Sequence, residues 1–216
     1  MAEPKMIELA LQGGGSHGAF TWGVLDRLLE DDRVRIEGIS GTSAGAMNAV
    51  VVADGLDRGG KQGAREALQK FWTGVSEAGR FSPFQRTLVD RMLGRWTLDF
   101  SPGYLLFDLA SRLVSPYQLN PLNVNPLRDL IIALVDFDHV RHAEGINLFV
   151  SATNVRTGKL KVFRREEMTA DMVMASACLP FIFHAVEIDG EAYWDGGYMG
   201  TRRCFHWSWS ARPATW

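Results

Sequence analysis

The spacing of hydrophobic and polar positions changes along the chain, and the changes mark its elements. Ile7–Leu11 is apolar on both faces, the pattern of a strand inside a parallel sheet. From Gly18 to about Asp31 the spacing turns helical, with Phe20, Val24, Leu25, Leu28 and Leu29 in one stripe. Val34–Ser40 reads as a second strand, and Ser43 to about Asp54 as a helix of small and apolar residues. Helical patterns recur near 62–78, 103–113 and 126–135. The last has Asn125 as N-cap and Pro126 at the first helical position, where a missing N–H costs nothing. Residues 146–153, INLFVSAT, form a strand; Asn154–Gly158 is a turn and Lys159–Arg164 the partner strand. Thr169 is placed to cap a helix through Cys178, ended by Pro180. Val186–Ile188 and Ala192–Trp194 flank Asp-Gly-Glu and read as a hairpin. Strands alternating with helices at the start predict an α/β fold around a largely parallel sheet.

Residues 79–125 break this rhythm. Phe81, Phe84, Trp96, Phe100, Tyr104 and Phe107 stand among Pro83, Pro102, Pro116 and Pro121. Such a segment is either a lid or lipid-facing surface, or ordinary packing over the sheet.

Composition narrows the picture by exclusion. The chain has 216 residues, enough for one domain with a substantial core. A formal net charge of -2 gives no electrostatic case for nucleic acid. No apolar run approaches the length of a membrane span. The N-terminus, MAEPKMIELALQGGG, lacks the basic-then-apolar order of a signal peptide, so a cytoplasmic location is expected. Cys178 and Cys204 form neither a C-x-x-C pair nor a disulfide framework.

Two loops bear the candidate chemistry. Gly13, Gly15 and Gly18 satisfy G-x-G-x-x-G between a strand and a helix, and Glu37 lies roughly 20 residues on, the outline of a dinucleotide-binding fingerprint. No Lys-Ser/Thr follows, so the loop is not a P-loop. The next loop competes with the nucleotide reading. Gly41-Thr42-Ser43-Ala44-Gly45 is a G-x-S-x-G between a strand and a helix, the context of a nucleophile elbow. A serine attacking an ester creates an oxyanion that needs donors already in place, and the backbone N–H groups of the first loop, Gly14 and Gly15 foremost, fit that use. Glu37 is then a plain strand residue.

Ser43 needs a base. Of five histidines, His17 lies in the glycine loop. His139 and His142 sit in a polar segment that makes no strong metal-ligand set, and His184 follows an apolar stretch and reads as structural. Asp195, in YWDGGYMG, places a carboxylate at a strand end with two flexible residues behind it.

Gly13-Gly14-Gly15-Ser16-His17-Gly18, Gly41-Thr42-Ser43-Ala44-Gly45 and Asp195-Gly196-Gly197, in this order, resemble the three signature elements of the bacterial patatin-like phospholipase family. ASACLPFIF, residues 175–183, is similar to the family's segment before the aspartate. The resemblance covers about residues 6–200. It implies a three-layer α/β fold with a central, largely parallel sheet flanked by helices. It implies a Ser43–Asp195 dyad without histidine, an oxyanion hole at Gly13, Gly14, Gly15 and Gly18, and no metal or other cofactor. It also implies acyl-ester hydrolysis of phospholipid or lysophospholipid, met at a membrane surface without spanning it.

After Gly200 the sequence departs from the family. TRRCFHWSWSARPATW, residues 201–216, contains three of the seven tryptophans, no acidic residue and no periodic pattern. It reads as out-of-frame translation, an artificial junction or a divergent ending, and the first two leave a truncated domain with doubtful activity. His206 completes a Ser43…Asp195…His206 order like that of an α/β-hydrolase triad, but the dyad leaves it without a part.

Overall fold

A computed structural model describes residues 3–79 and 115–199. The helix expected at 103–113, most of the aromatic segment, and the tail with Cys204 and His206 lie outside the described residues.

Three parallel strands form the centre of a mixed sheet. β1 (Lys5–Leu11) pairs in parallel with β2 (Val34–Gly41), and β2 with β3 (Asn147–Asn154). Parallel neighbours need a crossover, which α1 (Gly18–Glu30) supplies between β1 and β2. The apolar stripe of α1 is only half used. Leu25 and Leu29 are buried, but Phe20 is 79% exposed, because the buried face runs through Gly18.

The two helices expected at 43–54 and 62–78 are both present within α2 (Ala44–Gly79), which is interrupted between them. The interruption falls at Gly59 and Gly60, and Gly60 (φ 59°, ψ −152°) occupies a region that is essentially glycine-only. Short helices α3 (Pro116–Leu119) and α4 (Pro126–Leu134) follow, the latter capped by Asn125, which accepts from the Leu127 and Arg128 amides. Next come α5 (Phe137–His142), β3, β4 (Leu160–Arg164) and α6 (Ala170–Ser176). Thr169 caps α6 as expected, but the helix ends at Ser176, before Cys178. β5 (Val186–Ile188) and β6 (Glu191–Asp195) form the predicted hairpin. Its turn residues Asp189 and Gly190 both have positive φ, the backbone that joins two right-twisted strands most directly.

The architecture is therefore α/β, a sheet with a parallel centre flanked by helices, extended by antiparallel hairpins. Its core is built from Leu25, Val50, Leu68, Phe71, Ile131, Leu148, Val150 and Phe163, all essentially inaccessible.

One feature of the sheet positions the site. β3 pairs with β4 along residues 149–153, which occupies one of its two edges. The other edge is shared. β2 uses its first half, ending at Gly41↔Val150, and β6 uses its second half, ending at Ala152↔Asp195. β2 runs parallel to β3 and β6 antiparallel, so their C-terminal ends meet head to head.

Candidate active site

The elbow leaves β2 at Gly41 and enters α2 at Ala44. Ser43, between them, has φ 57°. A non-glycine residue in this region stores about 1–3 kcal/mol, which the surroundings must hold. Glycine is needed beside it: a side chain on Gly45 would collide with the Leu11 carbonyl, and one on Gly41 would lie 2.6 Å from the Gly45 carbonyl oxygen. The Ser43 amide donates to the Ser176 hydroxyl at 2.9 Å. The Ser43 side chain lies close enough to the Asp195 carboxyl to lower that group's pKa.

Asp195 ends β6 and is 4% exposed. Its Oδ1 accepts from the Gly197 amide at 2.7 Å. Its own amide donates to the Cys178 carbonyl at 2.9 Å, and its carbonyl accepts from Thr153 Oγ1 at 2.9 Å. Burial pushes its carboxyl above the usual range, opposed by the hydrogen bond from Gly197 and by the Ser43 side chain. Gly196 packs on the Ser151 carbonyl so closely that no side chain fits. Ser151 in turn hydrogen-bonds Thr42, the residue before the nucleophile.

The glycine loop closes over the same point. A side chain on Gly13 would place its Cβ 2.7 Å from the Ser43 Cβ, so loop and elbow are in contact. Gly14 (φ 145°) and Gly15 (φ 57°) turn the chain into a short 3-10 segment, Gly15–His17. Among the described residues, nothing accepts from the amides of Gly14 and Gly15. The exposed His17 ring bonds the Gly14 carbonyl through Nδ1 at 3.0 Å and so braces the loop. Gly18 does not join the other three glycines. Its amide is spent on the Gly15 and Ser16 carbonyls, and it is a glycine because Ala44 and the Trp72 ring sit where a Cβ would go.

Ser43, Asp195 and Gly13–Gly15 border one cavity of about 770 Å³. Its other walls are chiefly apolar, with Met47, Phe71, Trp72, Val75, Leu127, Leu179 and Phe183, and Tyr198 beside Asp195. Burial and the nearby charge of Asp195 push the Cys178 thiol up to about 12. The same two causes raise the Tyr198 phenol.

The structure thus brings together Ser43, Asp195, Gly13, Gly14, Gly15, Gly41, Gly45, Gly196 and Gly197. It leaves His139, His142 and His184 outside the cavity walls. The sequence reading missed Ser176, Ser151, Thr153 and the Cys178 carbonyl. A hydroxyl inside an apolar run was the one available signal for the first three. No helix among the described residues is long and apolar enough to cross a membrane.

The sequence profile of the family described as Patatin-like phospholipase matches residues 9–202. Among solved structures, VipD from Legionella pneumophila is similar with a TM-score of 0.48 and 18% identity, over 90% of this chain and 46% of that one. ExoU, in its complex with SpcU from the type III secretion system of Pseudomonas aeruginosa, gives 0.37 and 20%, over 82% of this chain and 36% of that one. The type III effector protein ExoU, in a further structure, gives 0.40 and 18%, over 83% of this chain and 41% of that one. The chain therefore spans less than half the length of these structures. No curated protein matches it.

Proposed function

The chain belongs to the patatin-like phospholipase family, and from that premise we propose that it is a serine lipid acyl hydrolase working through a Ser43–Asp195 dyad. The observation that supports this most is that Ser43, the buried Asp195 carboxylate and the glycine loop border one apolar cavity. A carboxylate at its ordinary pKa of about 3.9 is a weak base at neutral pH. Burial raises Asp195 toward the range where proton abstraction from serine becomes effective.

Ser43 Oγ attacks the ester carbonyl as its proton passes to Asp195. The oxyanion forms beside Gly14 and Gly15, whose amides donate to it; one such donor is typically worth about 10²–10³ in rate. Asp195 then protonates the departing alcohol, leaving an acyl group on Ser43. Water, deprotonated by Asp195, attacks that ester and releases the fatty acid. The apolar walls hold the acyl chain and keep water from the dyad, which sustains the raised pKa of Asp195. The substrate is phospholipid or lysophospholipid drawn from a membrane surface.

The test is release of fatty acid from lysophospholipid micelles and phospholipid vesicles by the purified chain. Activity abolished by Ser43→Ala and lowered about 10²–10⁴-fold by Asp195→Asn is the expected result. Activity that survives Ser43→Ala sinks the proposal.

A further inference from the structure

One short stretch of chain grips both members of the dyad. At the end of α6, the Ser176 hydroxyl accepts the Ser43 amide at 2.9 Å. Two residues later the Cys178 carbonyl accepts the Asp195 amide, also at 2.9 Å. The stretch is itself anchored, because the Cys178 thiol donates to the His184 carbonyl at 3.0 Å. Ser176 is fully buried and does not line the cavity.

Ser43 needs such a hold. Its φ of 57° is a strained value for a residue with a side chain, and its amide donates to no backbone carbonyl. A buried amide left without an acceptor drives the backbone toward a conformation where one is found. The Ser176 oxygen fills that need only in the strained turn, so it favours the turn that aims Ser43 Oγ at Asp195. It also consumes the nucleophile's own N–H, which is therefore not free to donate to the oxyanion.

On the reading of Ser43 and Asp195 as the dyad, we propose that Ser176 is a positioning residue: its buried hydroxyl fixes the left-handed turn of Ser43 and so holds the nucleophile on its base. No bond to Ser176 forms or breaks during the reaction.

The experiment is the saturation kinetics of a fluorophosphonate probe across pH, with wild type, Ser43→Ala, Ser176→Ala and Ser176→Thr. The wild type is expected to be labelled and Ser43→Ala not; if the wild type stays unlabelled, the dyad reading fails and this inference with it. For Ser176→Ala the maximal labelling rate is expected to fall about 10²-fold, the cost of a nucleophile misplaced by about an ångström. Probe affinity should stay unchanged. The pH midpoint should move upward, because the Ser43 hydroxyl no longer lowers the Asp195 pKa. Cys178 and Tyr198, the titratable groups beside Asp195, are the same in every variant and set a common background. Ser176→Thr keeps the acceptor oxygen and should return the midpoint to the wild-type value. A purely structural role lowers only the fraction of protein labelled. A Ser176→Ala protein with wild-type rate and midpoint overturns the inference while leaving the dyad intact. If the alanine variant does not accumulate folded, Ser176→Cys, with its weaker sulfur acceptor, is expected to show the same changes at smaller amplitude, and wild-type behaviour there overturns the inference equally.

Discussion

Ser43 and Asp195 meet because their strands end on the same edge of β3, from opposite directions, at Val150 and Ala152. Residues 152 places apart in sequence thereby border one cavity, a strained serine beside a buried carboxylate. The cost of that burial makes the dyad testable by stability as well as by rate.

Asp195→Asn is expected to lower activity about 10²–10⁴-fold, the usual worth of a general base, yet to raise the melting temperature at neutral pH. A carboxyl whose folded pKa exceeds its unfolded value stabilises the fold at low pH, and that contribution is lost as pH rises through the folded value. Asp195 is such a group, so at neutral pH the wild type bears the full cost of a buried charge. The amide substitute avoids it while still accepting the Gly197 amide. Melting curves between pH 4 and 8 should show the gap narrowing as the pH falls; a constant gap, or a less stable variant at pH 7, contradicts this. His206→Ala should leave activity unchanged.

Wild-type activity should rise with pH along a limb controlled by Asp195, with its midpoint above the ordinary aspartate value of about 3.9. A pH–rate profile of kcat/KM is the check. A flat profile from pH 4 to 8 would remove Asp195 as the base.

Gly13 and Gly15 should separate by mechanism. Gly13→Ala pushes on the Ser43 Cβ, so phosphonate labelling is expected to fall about 10²-fold in a protein that still folds. Gly15→Ala has open space for its methyl but inherits φ 57°, so it should lose about 1–2 kcal/mol of stability with a smaller effect on rate. Urea unfolding and labelling rates, measured on both variants, distinguish the two effects.

Asn48 ties α1 to α2 behind the cavity wall. Its Nδ2 donates to the Gly18 carbonyl at 3.0 Å, and its Oδ1 accepts Trp72 Nε1 at 2.8 Å. Asn48→Leu strands the Trp72 N–H in the interior, at about 1–3 kcal/mol. The urea midpoint should drop accordingly; an unchanged midpoint would show that the N–H finds another partner.

Much of this site was legible because its parts are local. A strand, a G-x-S-x-G and a helix in sequence specify an elbow, and the glycines at 13–15 mark a loop that needs close approach at Gly13 and positive φ at Gly14 and Gly15. Residue type and position alone predict Asn125 and Thr169 as caps, and both cap their helices. What the sequence did not disclose is nonlocal. Nothing in INLFVSAT says that β2 and β6 share one edge of that strand, or that Ser151 and Thr153 hold Thr42 and Asp195. Ser176 looks like any small residue near a helix end until the fold sets it beside Ser43. Gly18 matched the glycine motif by spacing, but its role is packing against Ala44 and Trp72. The helix stripe misplaced Phe20 because spacing fixes which residues share a face, not which face the sheet covers.

The most direct test is active-site titration of the folded chain with a fluorophosphonate, wild type against Ser43→Ala. A competent dyad predicts labelling that approaches one probe per chain, maps to Ser43 and vanishes in the variant. A folded wild type that takes no label, or a variant labelled as readily as wild type, would contradict the assignment of Ser43 as nucleophile.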